Sequence, residues 1–486
     1  MSDVKTYLGQ KGYTIYKDKI SIKEQQWIRD ELMVSPFIPK SILGYGAVQK
    51  FPIYRESKKK LYVPRYFGEA TYGVPDEVRL EEPKRANMTF NGNLRDYQVD
   101  IVNTYMNSIK DGGGLLEIPC GRGKTVMALK IASELGLKTL VIVHKTFLAD
   151  QWIERIKQFI PNARIGRIQG QTIDIDDKDI VIGMLQSLSM KDYPYTFFSD
   201  FGLTIVDEVH HIAAEVFVRS LFQIVTKYVL GLSATMQRKD GLTKVFKMFL
   251  GEIIYKEKAK ENSNVNVRIY DYITEDEEFN ETKVDFRGNT AYSSMMTKLC
   301  NFNPRREFVV KIVKDLMEEN PDQQIMILGH YKNLLTYLYK SIEHKNIATV
   351  GYYVGGMKKE ALKESEGKQI IIATYSMASE ALDIKTLTTL VMATPKTDVT
   401  QSIGRILRTK HSQPVVVDVC DQHDVFKRQC NKRIKYYNKQ GYKIQRCSNK
   451  SYNEFVDVSV KKRKGKKKNI VLDDNPLKGK CLINLS

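Results

Sequence analysis

A chain of 486 residues is too long for one hydrophobic core and predicts two large domains with smaller additions. Its 42% hydrophobic and 27% charged residues fit a soluble globular protein, and no apolar run approaches a membrane span. Basic residues outnumber acidic ones 76 to 57, a net charge of +19 that favours polyanions as partners.

The N-terminus, Met1 to Lys11, is polar and lacks the apolar core of a secretion signal, so an intracellular protein is expected. Residues 1–85 read as a small separate α+β module: a helical stretch from Ile22 to Met33, then strand-like Phe51 to Tyr54 and Lys60 to Val63. Basic and aromatic residues interleave from Tyr54 to Tyr66. That composition suits contact with a nucleic-acid backbone, and it suits equally an ordinary small domain with a basic surface.

Leu94-Arg95-Asp96-Tyr97-Gln98 precedes an amphipathic helix running toward Ile109. The Gln98 amide can accept from an adenine amino group and donate to a ring nitrogen, which makes it a base-reading candidate. From Gly112 to about Tyr255, strands alternate with helical intervals. Strands are expected at Leu115 to Ile118, Thr139 to Val143, Asp179 to Gly183, Leu203 to Val206 and Val229 to Leu232. Such alternation predicts a mainly parallel sheet with ligands at the carboxyl ends of its strands.

The first of these strands runs into Cys120-Gly121-Arg122-Gly123-Lys124-Thr125, and a helical apolar pattern follows. Strand, glycine-rich turn and helix together wrap a polyphosphate in backbone amides, so the segment predicts an ATP site. Gly121 and Gly123 let the backbone approach the oxygens, Lys124 neutralises the outer phosphates, and the Thr125 hydroxyl ligates magnesium. Ile118 stands where the longer form of this loop has its first glycine, so the shorter form rests on its context.

Asp207-Glu208-Val209-His210 follows the strand Leu203 to Val206. Beside a phosphate loop, Asp207 is expected to hold magnesium and Glu208 to polarise the attacking water. His210 is a candidate for coupling this site to the neighbouring strand end, Ser233-Ala234-Thr235. Arg238-Lys239-Asp240 then suggests the nucleic-acid side. Residues 257–298, acidic around Glu275 to Glu278, read as an insertion or linker.

A second alternating block begins with a helix from about Arg305 to Glu318. Strands are expected at Gln324 to Leu328, Gln369 to Ala373, Thr389 to Ala393 and Pro414 to Val419. This block has no phosphate loop but contains Gln401-Ser402-Ile403-Gly404-Arg405-Ile406-Leu407-Arg408, where Gln401, Arg405 and Arg408 share a helical face. Two arginines so placed can stabilise charge on a transferring phosphoryl group. Six scattered cysteines fit neither a zinc site nor a disulfide framework. Lys461 to Lys468 is a basic run, read either as a nucleic-acid tether or import signal or as a solvated tail.

The ordered series, with the Ala373 to Asp383 segment between the third and last motifs, resembles superfamily two helicases over roughly residues 90–440. Within it the chain is most similar to DEVH-type DNA helicases related to the large helicase subunit of transcription factor IIH. It is also similar to phage recombination helicases and the helicases of large DNA viruses, including the poxvirus transcript-release helicase. Pro119-Cys120-Gly121, Arg238-Lys239-Asp240 and Glu380-Ala381-Leu382-Asp383-Ile384 carry that likeness, with Ala381 where relatives usually have glycine.

The resemblance implies an α/β fold with two RecA-like lobes, 86–256 and 299–445, and a basic tail from 446 to 486. It implies ATP and Mg2+ as cofactors, with Cys120, Arg122 and Asp383 joining the nucleotide site. It further implies that Thr146, Gln186, His330 and Thr374 hold the phosphate backbone, with DNA favoured over RNA and movement 3′ to 5′. Transcription or replication machinery would be its setting, in a nucleus, a cytoplasmic viral factory or a virion. Two rivals stand beside a helicase: a DNA-stimulated ATPase that does not separate strands, and a module whose grip ATP merely gates.

Overall fold

Uninterrupted apolar runs build two parallel sheets. Thr139–Val143 and Ile180–Met184 are buried at every position, as strands covered on both faces must be. The computed structural model describes residues 4–36, 50–119, 121–208, 214–235, 241–257, 264–380, 384, 386–406 and 413–459.

In the first sheet the strand order is Thr172–Asp174, Ile165–Gln169, Ile180–Met184, Thr139–Val143, Leu203–Val206, Tyr228–Ser233, Gly113–Glu117 and Ile253–Lys256. Every pairing is parallel except that of the outermost hairpin, Ile165–Gln169 with Thr172–Asp174. The second sheet runs Val350–Tyr353, Ile370–Thr374, Gln324–Gly329, Leu387–Met392, Val415–Asp421, Asn266–Tyr272, Lys443–Ser448 and Val456–Asp457. Among the described residues no helix is long and apolar enough to cross a membrane.

Two features differ from the expected organisation. The stretch 257–298, expected as an insertion, supplies Asn266–Tyr272, which pairs with Val415–Asp421 on one side and Lys443–Ser448 on the other. It is one of the strands of the second sheet. Its charges hid it: Arg268 pairs with Glu319 at 2.5 Å and Asp271 with Arg446 at 2.6 Å, so both are neutralised by partners distant in sequence. The beginning of the expected tail likewise belongs to this sheet, through Lys443–Ser448 and Val456–Asp457.

The N-terminal residues form a five-stranded sheet in the order Arg55–Glu56, Lys60–Val63, Gly12–Tyr16, Thr6–Gly9 and Glu77–Val78. Helices Ile22–Glu31 and Arg65–Tyr72 accompany it, the first capped by Ser21, whose side chain accepts from the Glu24 amide. This module is not separate. Tyr13, Ile15, Leu61 and Phe67 join Leu115, Leu140, Phe217 and Phe246 of the first lobe in one continuous core. Arg65 donates to the Lys227 carbonyl at 2.9 Å, and Lys244 pairs with Glu31 at 3.0 Å across the same boundary.

Two buried ion pairs pin the second lobe. Arg305 grips Asp421 and the Ala393 carbonyl, while Arg433 holds Asp418 through two bonds of 2.7 Å, with the Tyr437 hydroxyl donating to the same carboxylate at 2.9 Å. Removing one partner strands a charge in the core. Arg433→Met is therefore expected to cost about 3–5 kcal/mol in urea unfolding of the full chain. A loss below about 1 kcal/mol would show that water reaches Asp418.

Candidate nucleotide site and nucleic-acid edge

Parallel strands end on one edge of each sheet, and the turns that leave this edge carry the predicted residues. The strand Gly113–Glu117 leads to a loop in which Gly121 and Gly123 have φ of 79° and 82°. These left-handed values suit glycine, and Gly123 caps the helix Lys124–Leu135. A Cβ at Gly123 would lie 2.4 Å from the Gln98 amide nitrogen, so a side chain there would push Gln98 off the loop.

Gln98 grips this loop. Its amide donates to the Arg122 carbonyl at 3.0 Å, and its oxygen accepts from the Arg95 amide at 3.0 Å. The Tyr97 hydroxyl donates to the same Arg122 carbonyl at 3.2 Å. The Arg122 guanidinium lies 3.7 Å over the Tyr97 ring and pairs with Glu257 at 2.6 Å. Gln98 thus spends one donor on the loop and one acceptor on the cap of its own helix, and an adenine would have to use the others. Tyr97 and Glu257 were not among the sequence candidates. Tyr97 is next to Gln98, whereas the only trace of Glu257 is its position just after the strand Ile253–Lys256.

Lys124 opens the helix and is buried, with its ammonium 3.2 Å from a Glu208 oxygen and 3.4 Å from the Ile118 carbonyl. Asp207 and Glu208 leave the end of Leu203–Val206, and Glu208 sits at φ 50°, a left-handed conformation uncommon for a residue with a side chain. Such strain at a strand end is a mark of functional turns. Burial pushes the Asp207 carboxyl up to about 6, helped by the Glu208 charge and opposed by Lys124 and by Trp152.

The Trp152 bond was invisible in sequence. Its indole Nε1 donates to Asp207 at 2.9 Å across the core. Trp152 lies on the helix Thr146–Phe159, which opens with the predicted backbone contact Thr146. Trp152→Phe keeps an aromatic ring in the core, at a smaller volume, and removes the donor. It is expected to lower turnover about 10- to 100-fold and to raise the magnesium needed for half-maximal nucleotide binding. Unchanged magnesium titrations would remove Trp152 from the site.

Among the described residues no three His, Cys, Asp or Glu side chains gather into a metal site. The groups at this edge of the kind that hold magnesium beside a nucleotide's own oxygens are the Asp207 carboxylate and the half-buried Thr125 hydroxyl. Ser233 closes its own turn, donating to the Thr235 carbonyl at 2.6 Å.

The nucleic-acid candidates occupy the same kind of edge. Thr146 follows Thr139–Val143 and Gln186 follows Ile180–Met184, both exposed, and these strands lie one and two places from Leu203–Val206 in the sheet. In the second lobe Thr374 ends Ile370–Thr374 and His330 follows Gln324–Gly329. His330 is exposed as a residue, yet its Nδ1 is 2.7 Å from the Thr394 hydroxyl and its ring is 4.7 Å from that of Tyr375. That packing, with Lys396 nearby, pushes its pKa down to about 4 and keeps it neutral.

Gln401 and Arg405 fall on the helix Thr400–Ile406, whose Ser402 and Ile403 are buried. Cys120, Val209 to His211, Arg238 to Asp240, Ala381 to Asp383, Arg408 and the basic run at 461–468 lie outside the described residues.

Residues 91–238 match the family model described as "Type III restriction enzyme, res subunit". The chain is 36% identical over 461 residues to "Putative ATP-dependent RNA helicase L396" of Acanthamoeba polyphaga mimivirus, covering 92% of this chain and 87% of that protein. The chain belongs to the superfamily two helicases. This helicase is also 28% identical over 395 residues to "Putative ATP-dependent RNA helicase QP509L" of African swine fever virus, across 73% of the chain and 74% of the relative. The solved structure of T4 UvsW aligns with 92% of the helicase and 100% of that chain at 19% identity, with a TM-score of 0.35. Membership implies ATP hydrolysis and nucleic-acid binding.

Proposed function

We propose that the protein is an ATP-driven motor that moves on DNA, with ATP and magnesium held by the first lobe. One observation carries this reading: the Lys124 ammonium meets the Glu208 carboxylate, beside the Trp152-held Asp207, on one edge of the first sheet, from strands with a single strand between them. Lys124 meets the outer phosphates, Glu208 orients and deprotonates the attacking water, and Asp207 with Thr125 fixes magnesium. Magnesium, when bound, neutralises charge on the phosphate oxygens. Arg405 and Arg408 of the second lobe supply positive charge when the lobes close, and Asp383 either meets the ribose or links the ATP site to the track. Thr146, Gln186, His330 and Thr374 hold the backbone, so binding is weakly sequence-specific and salt-sensitive.

DNA is proposed because the loop lead, the Arg238 to Asp240 triplet and the Glu380 to Ile384 segment follow the DNA-helicase pattern. The names of two viral relatives favour RNA as a second reading. Steady-state ATPase with no nucleic acid, single-stranded DNA, duplex DNA and RNA decides between them, with Lys124→Ala as the blank. Stimulation by DNA is expected. Stimulation by RNA alone would move the track to RNA, and stimulation by none would overturn the motor. Strand displacement then separates a helicase, expected to run 3′ to 5′, from a translocase that leaves the duplex paired. Transcript release or recombination in a large DNA virus is the setting the resemblance adds.

A further inference from the structure

The N-terminal sheet has two unlike faces. Leu8, Tyr13, Ile15, Leu61 and Val63 point into the core. By strand alternation the opposite face carries Tyr7, Thr14 and Tyr62 in one cross-strand row and Tyr16 and Lys60 in the next. Arg79 follows Glu77, which pairs beside Tyr7.

On this face cations lie over rings. The Lys60 ammonium is 5.0 Å from the centre of the Tyr7 ring and 4.8 Å from that of Tyr16, and donates to the Tyr7 hydroxyl at 3.1 Å. The Arg79 guanidinium lies 4.1 Å over Tyr7 and donates to the Tyr16 hydroxyl at 3.2 Å, while also pairing with Glu77 at 2.6 Å. Lys11, at the hairpin turn, sits 5.4 Å from the Tyr62 ring and 5.9 Å from that of Tyr195. Tyr195 belongs to the first lobe, is 64% exposed, and stands in the loop after the helix Leu185–Met190 that carries Gln186.

Lys60 and Lys11 are thus held in place by aromatic rings, and among the described residues no carboxylate lies within the 4.0 Å ion-pair range of either. A ring orients a cation without cancelling its charge. Tyr7 lies under both the Lys60 ammonium and the Arg79 guanidinium, whereas Tyr195 stays 64% exposed. The face presents positioned charge and little else, which is how a protein reads phosphate without sequence. The shared core fixes the module to the first lobe, so these charges hold a constant position relative to it.

We infer that this face is a second contact for the nucleic-acid backbone, with Lys60 and Lys11 meeting phosphates and Arg79 completing the strip across the module and onto the first lobe. The inference rests on the nucleic-acid reading above and extends the track beyond the two-lobe motor.

The test is binding of the full chain, without ATP, to a short labelled single strand and to the matching duplex, by fluorescence anisotropy across a KCl series. Lys11→Met with Lys60→Met keeps the apolar stems on the tyrosines and removes both charges. The double variant is expected to bind about tenfold more weakly near 0.1 M salt. Its slope of log affinity against log salt should be shallower by about 1.4 on the single strand or about 1.8 on the duplex, the counterion release of two lost phosphate contacts. ATPase without nucleic acid should be unchanged, and Lys11→Arg with Lys60→Arg should restore the slope.

A change on one DNA form alone identifies the form that lies on the face. Equal slopes for wild type and variant on both forms would overturn the inference while leaving the motor standing, whereas failure of the wild type to bind any nucleic acid would remove the motor reading itself. If the double variant melts early, Lys11→Glu, at an exposed turn, takes its place, and an unchanged slope there is equally decisive.

Discussion

Glu208→Gln is expected to reduce ATP turnover about 10²- to 10⁴-fold while the protein still binds nucleotide. Glutamine has nearly the same shape and keeps an oxygen for the Lys124 ammonium, now 3.2 Å from the carboxylate. What it loses is the capacity to take a proton from water. The left-handed backbone at φ 50° turns residue 208 sharply out of the strand, a conformation the fold maintains at some cost. Because Glu208 is a neighbour of buried Asp207, the substitution also removes a repelling charge, so stability should hold or rise slightly. Phosphate release measured beside binding of a fluorescent ATP analogue separates the two effects. Turnover within about threefold of wild type would take the water-orienting role away from Glu208, and it would revive the reading in which ATP only gates a grip.

The parts of this structure that were legible in sequence are those that local chemistry determines. Thr139–Val143 and Leu203–Val206 were placed to the residue because strands buried on both faces are continuous apolar runs. The loop from Gly121 to Thr125 was legible because two left-handed glycines before a lysine serve one geometry. Asn266–Tyr272 was lost because Arg268 and Asp271 look solvated until Glu319 and Arg446, 51 and 175 residues away, are brought to them. Trp152 read as one more core aromatic, and only the fold places its Nε1 on Asp207, 55 positions further on. Glu257 reaches Arg122 across 135 positions in the same way. The N-terminal module looked independent because its sequence shows an apolar set sized for a small domain, with no sign that Tyr13 and Phe67 face the first lobe. Long-range polar pairs and shared cores are set by topology, and a single sequence has no local pattern for either.

Lys124→Ala is expected to abolish measurable turnover, about 10²- to 10³-fold from the lost charge on the phosphates alone, and to weaken nucleotide binding as well. The loss should exceed that simple figure because the ammonium serves the acid pair too. It stands 3.2 Å from Glu208 and is one of the influences that hold the buried Asp207 carboxyl down. Without it, the acid pair loses an opposing positive charge, and the buried Asp207 carboxyl, still bonded to the Trp152 indole, becomes harder to keep charged. Lys124→Arg should recover little. A guanidinium is bulkier and planar, whereas the buried ammonium has Glu208 at 3.2 Å and the Ile118 carbonyl at 3.4 Å around it. Comparison with Glu208→Gln is informative: if Lys124 acts through both the phosphates and the acids, the double variant should be little worse than Lys124→Ala alone. Fully multiplicative losses would show that the two side chains act independently, and the 3.2 Å pair would then be a resting contact with no part in turnover.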